Sequence, residues 1–206
     1  MHVAEVSDRE LPHDLLMWYN FLTDRKDTLM LTQRLPIHST QHPLSMLDKR
    51  DNETHDECNF FWTEPEYQRG HVWSDERKER LIFSLLFRIP IGTIIVNDRV
   101  SGFAEVGERD YVYAVIDGKQ RISAIHDFVD NKISIPREWI TTPYGEDTVA
   151  VGAERILFED LTEVGKRVVR SIPVPVSHTQ LNTVEQEKEV FELVNFGGVA
   201  QGESDF

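Results

Sequence analysis

The 206 residues carry 36 acidic against 22 basic side chains, a formal net charge of −14 at pH 7, with 40% hydrophobic content and one cysteine, Cys58. So acidic a surface repels a polyanion over most of its area and leaves nucleic acid only a local basic cleft, while one cysteine makes no internal disulfide, in keeping with a reducing compartment. No run approaches the roughly 18 apolar residues of a membrane helix, and Glu5, Asp8, Arg9 and Glu10 break the basic-then-apolar order of a secretory leader, so the expectation is a cytoplasmic globule without a membrane partner.

The expected division is an N-terminal extension over residues 1–42 followed by one domain over 43–206. In the extension Leu11, Leu15, Leu16, Trp18, Tyr19 and Leu22 recur at helical spacing after Pro12 and predict a helix. LPIHSTQHP, broken by Pro36 and Pro43, predicts a loop, and the polar run KRDNETHDEC an exposed one. Phe60 to Trp62 predict a strand, and PEYQRGHVW an irregular link with Pro65 and Gly70 as breakers.

Ser74 is placed to cap a helix, with Asp75 and Glu76 in its first turn opposing the dipole. Leu81, Ile82, Leu85, Leu86 and Ile89 give that helix its core face, and Pro90 and Gly92 are expected to stop it. GTIIVND predicts a short buried strand and RDYVYAVIDG the next. KQRISAIHDFVDNK predicts a helix with Ile122, Ile125, Phe128 and Val129 inward. TPYGEDTVAVGAE is turn-rich. SIPVPVSHT predicts a strand at a sheet edge or bulge, since Pro173 and Pro175 lack amide donors. TVEQEKEVFELVNFGG has Thr183 and Gln186 at capping-box spacing, Val190, Phe191 and Val194 inward, and a stop at Gly197 and Gly198. The pattern is a mixed α/β domain without internal repeats.

The stretch YAVIDGKQRISAIHDF turns directly from strand to helix at Asp117 and Gly118. A helix begun this way leaves its first amide donors aimed beyond the corner, where an anion fits. Gly118 allows close approach to the backbone, and Lys119 or Arg121 adds charge-assisted bonds to phosphate oxygens. Asp117 suits a magnesium ion or the orientation of an attacking hydroxyl, and Gln120 the positioning of a water. Asp-Gly is also a common turn and helix cap, so the corner alone is a weak signal. Two further polar groups accompany it. Tyr67, Gln68 and Arg69 precede a helix start without a packing purpose, and Asn195 closes a helix before two glycines.

Taken in order, PEYQRGHVWSDERKERLIFSLLFRIPI, VIDGKQRISAI and FELVNFGG resemble the N-terminal domain family of GmrSD-type restriction systems, whose hallmark is an Asp-Gly-Gln-Gln-Arg corner. The resemblance covers roughly residues 43 to 202. It implies a ParB/sulfiredoxin-like fold, with a magnesium nucleoside triphosphate, ATP or GTP, bound and hydrolysed at the corner. It assigns Asp117, Gly118, Gln120 and Arg121 to the nucleotide site, with Gln68 and Arg69 beside it and Asn195 and Gly198 lining it. Lys119 stands where the family has its first glutamine and adds a full charge. In such systems the domain is coupled to a separate HNH-type nuclease module that cuts modified DNA. With the sequence given ending at Phe206, soon after NFGG, a complete nuclease is not expected, and a DNA-modification or nuclease protein is the expected partner.

Three functions compete. The leading expectation is a nucleotide-dependent enzyme passing the γ-phosphoryl to water, or in a variant to a hydroxyl of a modified DNA base. The second is a binding module without turnover, sensing nucleotide or docking on a larger partner as a decoy or regulator. The third is direct DNA recognition through Arg77, Lys78 and Arg80, but acidic neighbours make these a solvated helix face. His55, Asp56, Glu57 and Cys58 have poor metal-ligand spacing and predict only an exposed loop.

Overall fold

Alternating side chains in IIVND and YVYAVID form adjoining strands, and the helical spacings on either side of them supply the layers that cover the sheet. The computed structural model describes residues 37–47, 59–63, 73–99 and 111–197. Its elements are β1 (His38–Pro43), a 3-10 turn (Leu44–Leu47), β2 (Asn59–Trp62), α1 (Asp75–Leu86), β3 (Ile94–Asp98), β4 (Tyr111–Asp117) and α2 (Lys119–Val129). There follow β5 (Ile135–Pro136), α3 (Glu138–Tyr144), β6 (Arg155–Ile156), α4 (Glu163–Arg170), β7 (Pro173–Thr179) and α5 (Val184–Gly197). The fold is mixed α/β. Its main sheet has the order β1-β7-β3-β4-β2, with β1 antiparallel to β7, β7 parallel to β3, β3 antiparallel to β4, and β4 parallel to β2. The expected helix in the N-terminal extension and the polar run through Cys58 lie outside the described residues.

One face of the sheet and the helices build the main core. Ile94, Val96, Val115, Val174 and Val176 meet Leu81, Ile82, Leu85 and Leu86 of α1 and Ile122, Ile125, Phe128 and Val129 of α2, all buried. Ser74 caps α1 as expected, its Oγ accepting the Arg77 N–H at 3.4 Å. The helix nevertheless ends at Leu86, ahead of Pro90. Arg88 adopts a left-handed φ of 57°, and the Ile89 N–H reaches Ser84 O at 2.8 Å while that of Arg88 reaches Leu85 O at 3.2 Å. This is a Schellman closure. It corrects the place of Ile89, which falls beyond the helix and is exposed. Lys78 is also not on a solvated face. It is buried, and its Nζ donates to Asp127 Oδ2 at 2.8 Å, joining α1 to α2.

Two proline-marked segments depart from expectation. HSTQHP is a strand, because its one proline, Pro43, sits at its end and Thr40 to His42 pair with β7 at the sheet's edge. β7 is an interior strand flanked by β1 and β3. Pairing with β3 starts only at Ile94↔Val176, so Pro173 and Pro175 have a single neighbour and their missing amides break no ladder on the β3 side. The turn-rich stretch holds the end of α3 and a short 3-10 turn, and neither α3 nor α4 has a counterpart among the expected elements. Gly165 lets α4 lie against the 146–148 turn, where a Cβ would collide with Thr148 O.

The opposite face of the sheet is closed by α5. Thr183 Oγ1 accepts the Gln186 N–H at 3.3 Å, and Gln186 Oε1 accepts from Asn182 at 2.9 Å, one residue before the site a capping box would use. Ala114 and Ile116 are fully buried here, and Val190 is buried with Phe191 and Val194 half-buried. The polar fastening is Glu187, which is fully buried. Its carboxylate accepts Arg99 Nε at 2.9 Å and Nη2 at 2.5 Å, and Asn97 Nδ2 at 2.8 Å. Asn97 Oδ1 in turn accepts the Leu181 N–H at 2.7 Å. Glu187→Ala removes the buried carboxylate that Arg99 and Asn97 share and should lower unfolding free energy in urea by about 3–5 kcal/mol.

Candidate functional site

The corner between β4 and α2 is made by one residue. Gly118 has φ of 107°, and a Cβ built on it would lie 2.9 Å from Ile94 Cγ1, so only glycine satisfies both the backbone turn and the packing of β3 across it. Gly118 offers no side chain to cap α2. Its carbonyl accepts the Ile122 N–H at 3.0 Å, whereas the N–H groups of Gln120 and Arg121 have no acceptor among the described residues. Those unmet donors make the helix start electropositive.

Arg121 reaches back across this turn. Its Nη2 donates to Asp117 Oδ2 at 2.5 Å and to Thr93 O at 3.0 Å. The Arg121 side chain is 17% exposed and that of Asp117 31%. Its Nε is buried with no hydrogen-bond partner among the described residues. Gln120 turns the other way, its Oε1 accepting the backbone N–H of Trp73 at 3.1 Å, just ahead of α1. Arg77 lies over the Trp73 ring at 4.4 Å. The corner therefore gathers Asp117, Gly118, Lys119, Gln120 and Arg121 with Thr93, just ahead of β3, and Trp73, just ahead of the α1 cap.

Asn195 sits in the last turn of α5, exposed, with its Nδ2 donating to Phe191 O at 2.7 Å within its own helix. None of its described hydrogen bonds joins it to the corner. Gln68, Arg69 and Gly198 lie outside the described residues.

A family model for the GmrSD restriction endonuclease N-terminal domain matches residues 44–206. The chain belongs to this family. No curated protein and no solved structure matches it. The match places the chain among restriction-system domains, and the matched span includes Trp73, residues 117–121 and Asn195.

Sequence reasoning did not find a second polar cluster. His42 and His178 bring their Nε2 atoms to 2.9 Å, His38 stacks on His178 with ring centroids 5.2 Å apart, and Tyr113 meets His178 edge-on, also at 5.2 Å. Thr40 Oγ1 is 3.0 Å from His42 Nε2, and Met46 Sδ 3.2 Å from its Nδ1. Burial holds His42 below an imidazole's ordinary pKa. Burial does the same to His178, reinforced by the charges of His42 and His38 and partly offset by Asp98. Burial and the Asp98 charge push the Tyr113 phenol up. No sequence signal announces this cluster, since only the β1–β7 register brings residues 38, 42 and 178 together. Among the described residues no group of three or more histidine, cysteine or acidic side chains is arranged to hold a metal ion.

Two outcomes follow from this geometry. Gly118→Ala should cost about 1–3 kcal/mol in chemical denaturation, from the positive φ together with the Ile94 contact. For the histidines, the unfolded imidazoles titrate near ~6.5 and the folded ones lower, so below that pH the unfolded chain binds more protons and stability falls as pH falls. The melting temperature of the wild type should drop from about pH 7 to about pH 5 more steeply than that of His178→Gln. Parallel slopes would show that the pair does not contribute.

Proposed function

We propose that this GmrSD-family domain binds a magnesium nucleoside triphosphate, ATP or GTP, at the β4–α2 corner and passes the γ-phosphoryl to water. The observation that carries the reading is the Asp117–Arg121 pair set across Gly118 beneath unmet helix amides. It offers a carboxylate to a cation and a guanidinium to a polyphosphate within one helical turn. Both ends are partly exposed, so the pair remains open to exchange for a ligand of matching charges.

The side chains fit the metal. Magnesium retains several waters and is held by one or two carboxylates plus substrate phosphates, so it needs no protein cage. Asp117 is the residue that would hold it, and the metal would supply charge neutralisation at the phosphate oxygens. The chain's own groups do the rest. The Gln120 and Arg121 amides meet phosphate oxygens head-on, Gly118 keeps a side chain out of their path, and Lys119 and Arg121 add positive charge. Gln68, Arg69, Asn195 and Gly198 complete the proposed set. Because phosphoryl transfer has a loose transition state, positioning and charge suffice for catalysis.

The formal charge of −14 supports a division of labour in which a DNA-modification or nuclease partner supplies the contact with DNA. The test uses γ-labelled ATP and GTP with magnesium. Label should appear as free phosphate, and Asp117→Ala and Arg121→Ala should each lower the rate by about 100-fold. Label recovered in hydroxymethylated DNA would reassign the enzyme as a phosphotransferase. Nucleotide binding with equal, negligible turnover in all three forms would reduce the domain to a sensor.

A further inference from the structure

The pairing of β1 with β7 brings two imidazole nitrogens together far from the Asp-Gly turn in sequence. His42 and His178 lie 136 positions apart in the chain, and their Nε2 atoms stand 2.9 Å apart. The tautomer of His42 is set on its far side. Met46 Sδ lies 3.2 Å from His42 Nδ1, and a thioether sulfur has no proton to give, so Nδ1 donates and Nε2 keeps its lone pair. That lone pair faces His178 Nε2 and the Thr40 hydroxyl, the latter at 3.0 Å. Burial lowers the pKa of both imidazoles, which leaves them in the neutral form that ligates metals. Bonds from imidazole nitrogen to a d-block ion run about 2.0–2.1 Å, so nitrogens 2.9 Å apart subtend about 90° at a shared ion. A right angle is the cis angle of tetragonal copper(II) and nickel(II), whereas a tetrahedral ion needs the pair opened to about 3.3 Å.

We propose that His42 and His178 bind a divalent transition metal of the nickel(II) or copper(II) class, which staples the edge strand β1 to β7. This site needs no nucleotide at the β4–α2 corner. Its two ligands are imidazoles, which suit such ions and not magnesium. In the metal-free protein His178 Nε2–H donates to the His42 lone pair; the metal takes the place of that proton, and His178 then carries its proton on Nδ1. His38 stacks on the His178 ring, 11° from parallel, as packing and not as a ligand. Two protein ligands also agree with the absence of a group of three among the described residues. His38 and Thr40 are exposed, so the remaining coordination positions open to water. Met46 is a positioning residue, because its sulfur holds the His42 proton away from the metal side.

The test is calorimetry and thermal melting of the 206-residue chain with nickel(II) chloride, in excess magnesium to occupy acidic side chains. Nickel should bind and raise the melting temperature of the wild type. His42→Gln and His178→Gln should each lower the affinity by about tenfold or more and cancel the rise, while His38→Gln keeps both. Affinity should also fall between about pH 7.5 and about pH 5.5, where protons compete for the nitrogens. Equal nickel binding by the wild type and both ligand variants would place the ion elsewhere on the chain and overturn the proposal. No nickel heat in a wild type that melts cooperatively would overturn it too, and would reduce the pair to an imidazole hydrogen bond. Paramagnetic resonance of the wild type with one equivalent of copper(II) needs no variant to fold. Hyperfine splitting from two nitrogens is expected, and any other count would sink the assignment.

Discussion

The backbone at Gly118 is the constraint on which the rest of the arrangement turns. A left-handed φ at that one residue sends the chain from β4 into α2 without a loop, and Ile94 of β3 packs where a side chain would otherwise be. Two residues later Gln120 reaches Trp73 at the start of α1, and three residues later Arg121 reaches Thr93 on the approach to β3. One turn of helix therefore registers β3, β4, α1 and α2 against each other. The core could tolerate other connections between β4 and α2, but none of them would bring a carboxylate, a guanidinium and unmet amides to the same point.

Three charged pairs in the fold show why the corner differs from a structural ion pair. Glu187 is fully buried, and Arg99 and Asn97 meet both its oxygens, so desolvation is offset by complete hydrogen bonding and little capacity is left for a ligand. Lys78 and Asp127 are similarly enclosed between α1 and α2. Burial alone would raise the Asp127 carboxyl, but hydrogen bonds from Lys78 and Lys132 hold it below the usual carboxylate range. At Asp117 and Arg121 the pair is more open, and a buried Arg121 Nε has no partner among the described residues. Folding stability alone gives no reason for leaving donors unmet at a position where the chain has already brought a carboxylate.

Legibility in the sequence followed the range of the interactions. The α1 and α2 faces, the Ser74 cap, and strands β3 and β4 were all written in local spacing, and so was the contiguous corner. Ile89 was misplaced because periodicity continues past Leu86 while a non-glycine residue, Arg88, takes the left-handed turn that ends the helix. LPIHSTQHP reads as a loop because Pro36 and Pro43 resemble breakers until the pairing of β1 with β7 is known, and SIPVPVSHT reads as an edge strand because the staggered start of β3 is invisible in one segment. Lys78 looked solvated for the same reason, since Asp127 lies 49 positions away. The histidine pair and the Trp73–Gln120 tie are products of tertiary register, so no local pattern encodes them.

This geometry also bears on which acceptor receives a phosphoryl group. If the corner binds a nucleotide as proposed, its charges and donors would act on the phosphate chain equally whether the nucleophile were water or a hydroxyl, because a loose transition state asks little of a general base. Asp117 and Arg121 are engaged with each other, and Gln120 has its oxygen turned to Trp73, so the described corner presents donors and charge far more than it presents a base. The choice between hydrolysis and transfer is then one of access: what can be brought in line with the γ-phosphorus, and how well water is excluded when it arrives. In an acidic domain that repels nucleic acid over most of its surface, a DNA-borne hydroxyl would have to be delivered by another protein, whereas water needs no delivery. On the proposed reading, hydrolysis would therefore be the basal reaction of such a corner, and transfer a property that a partner would confer on it.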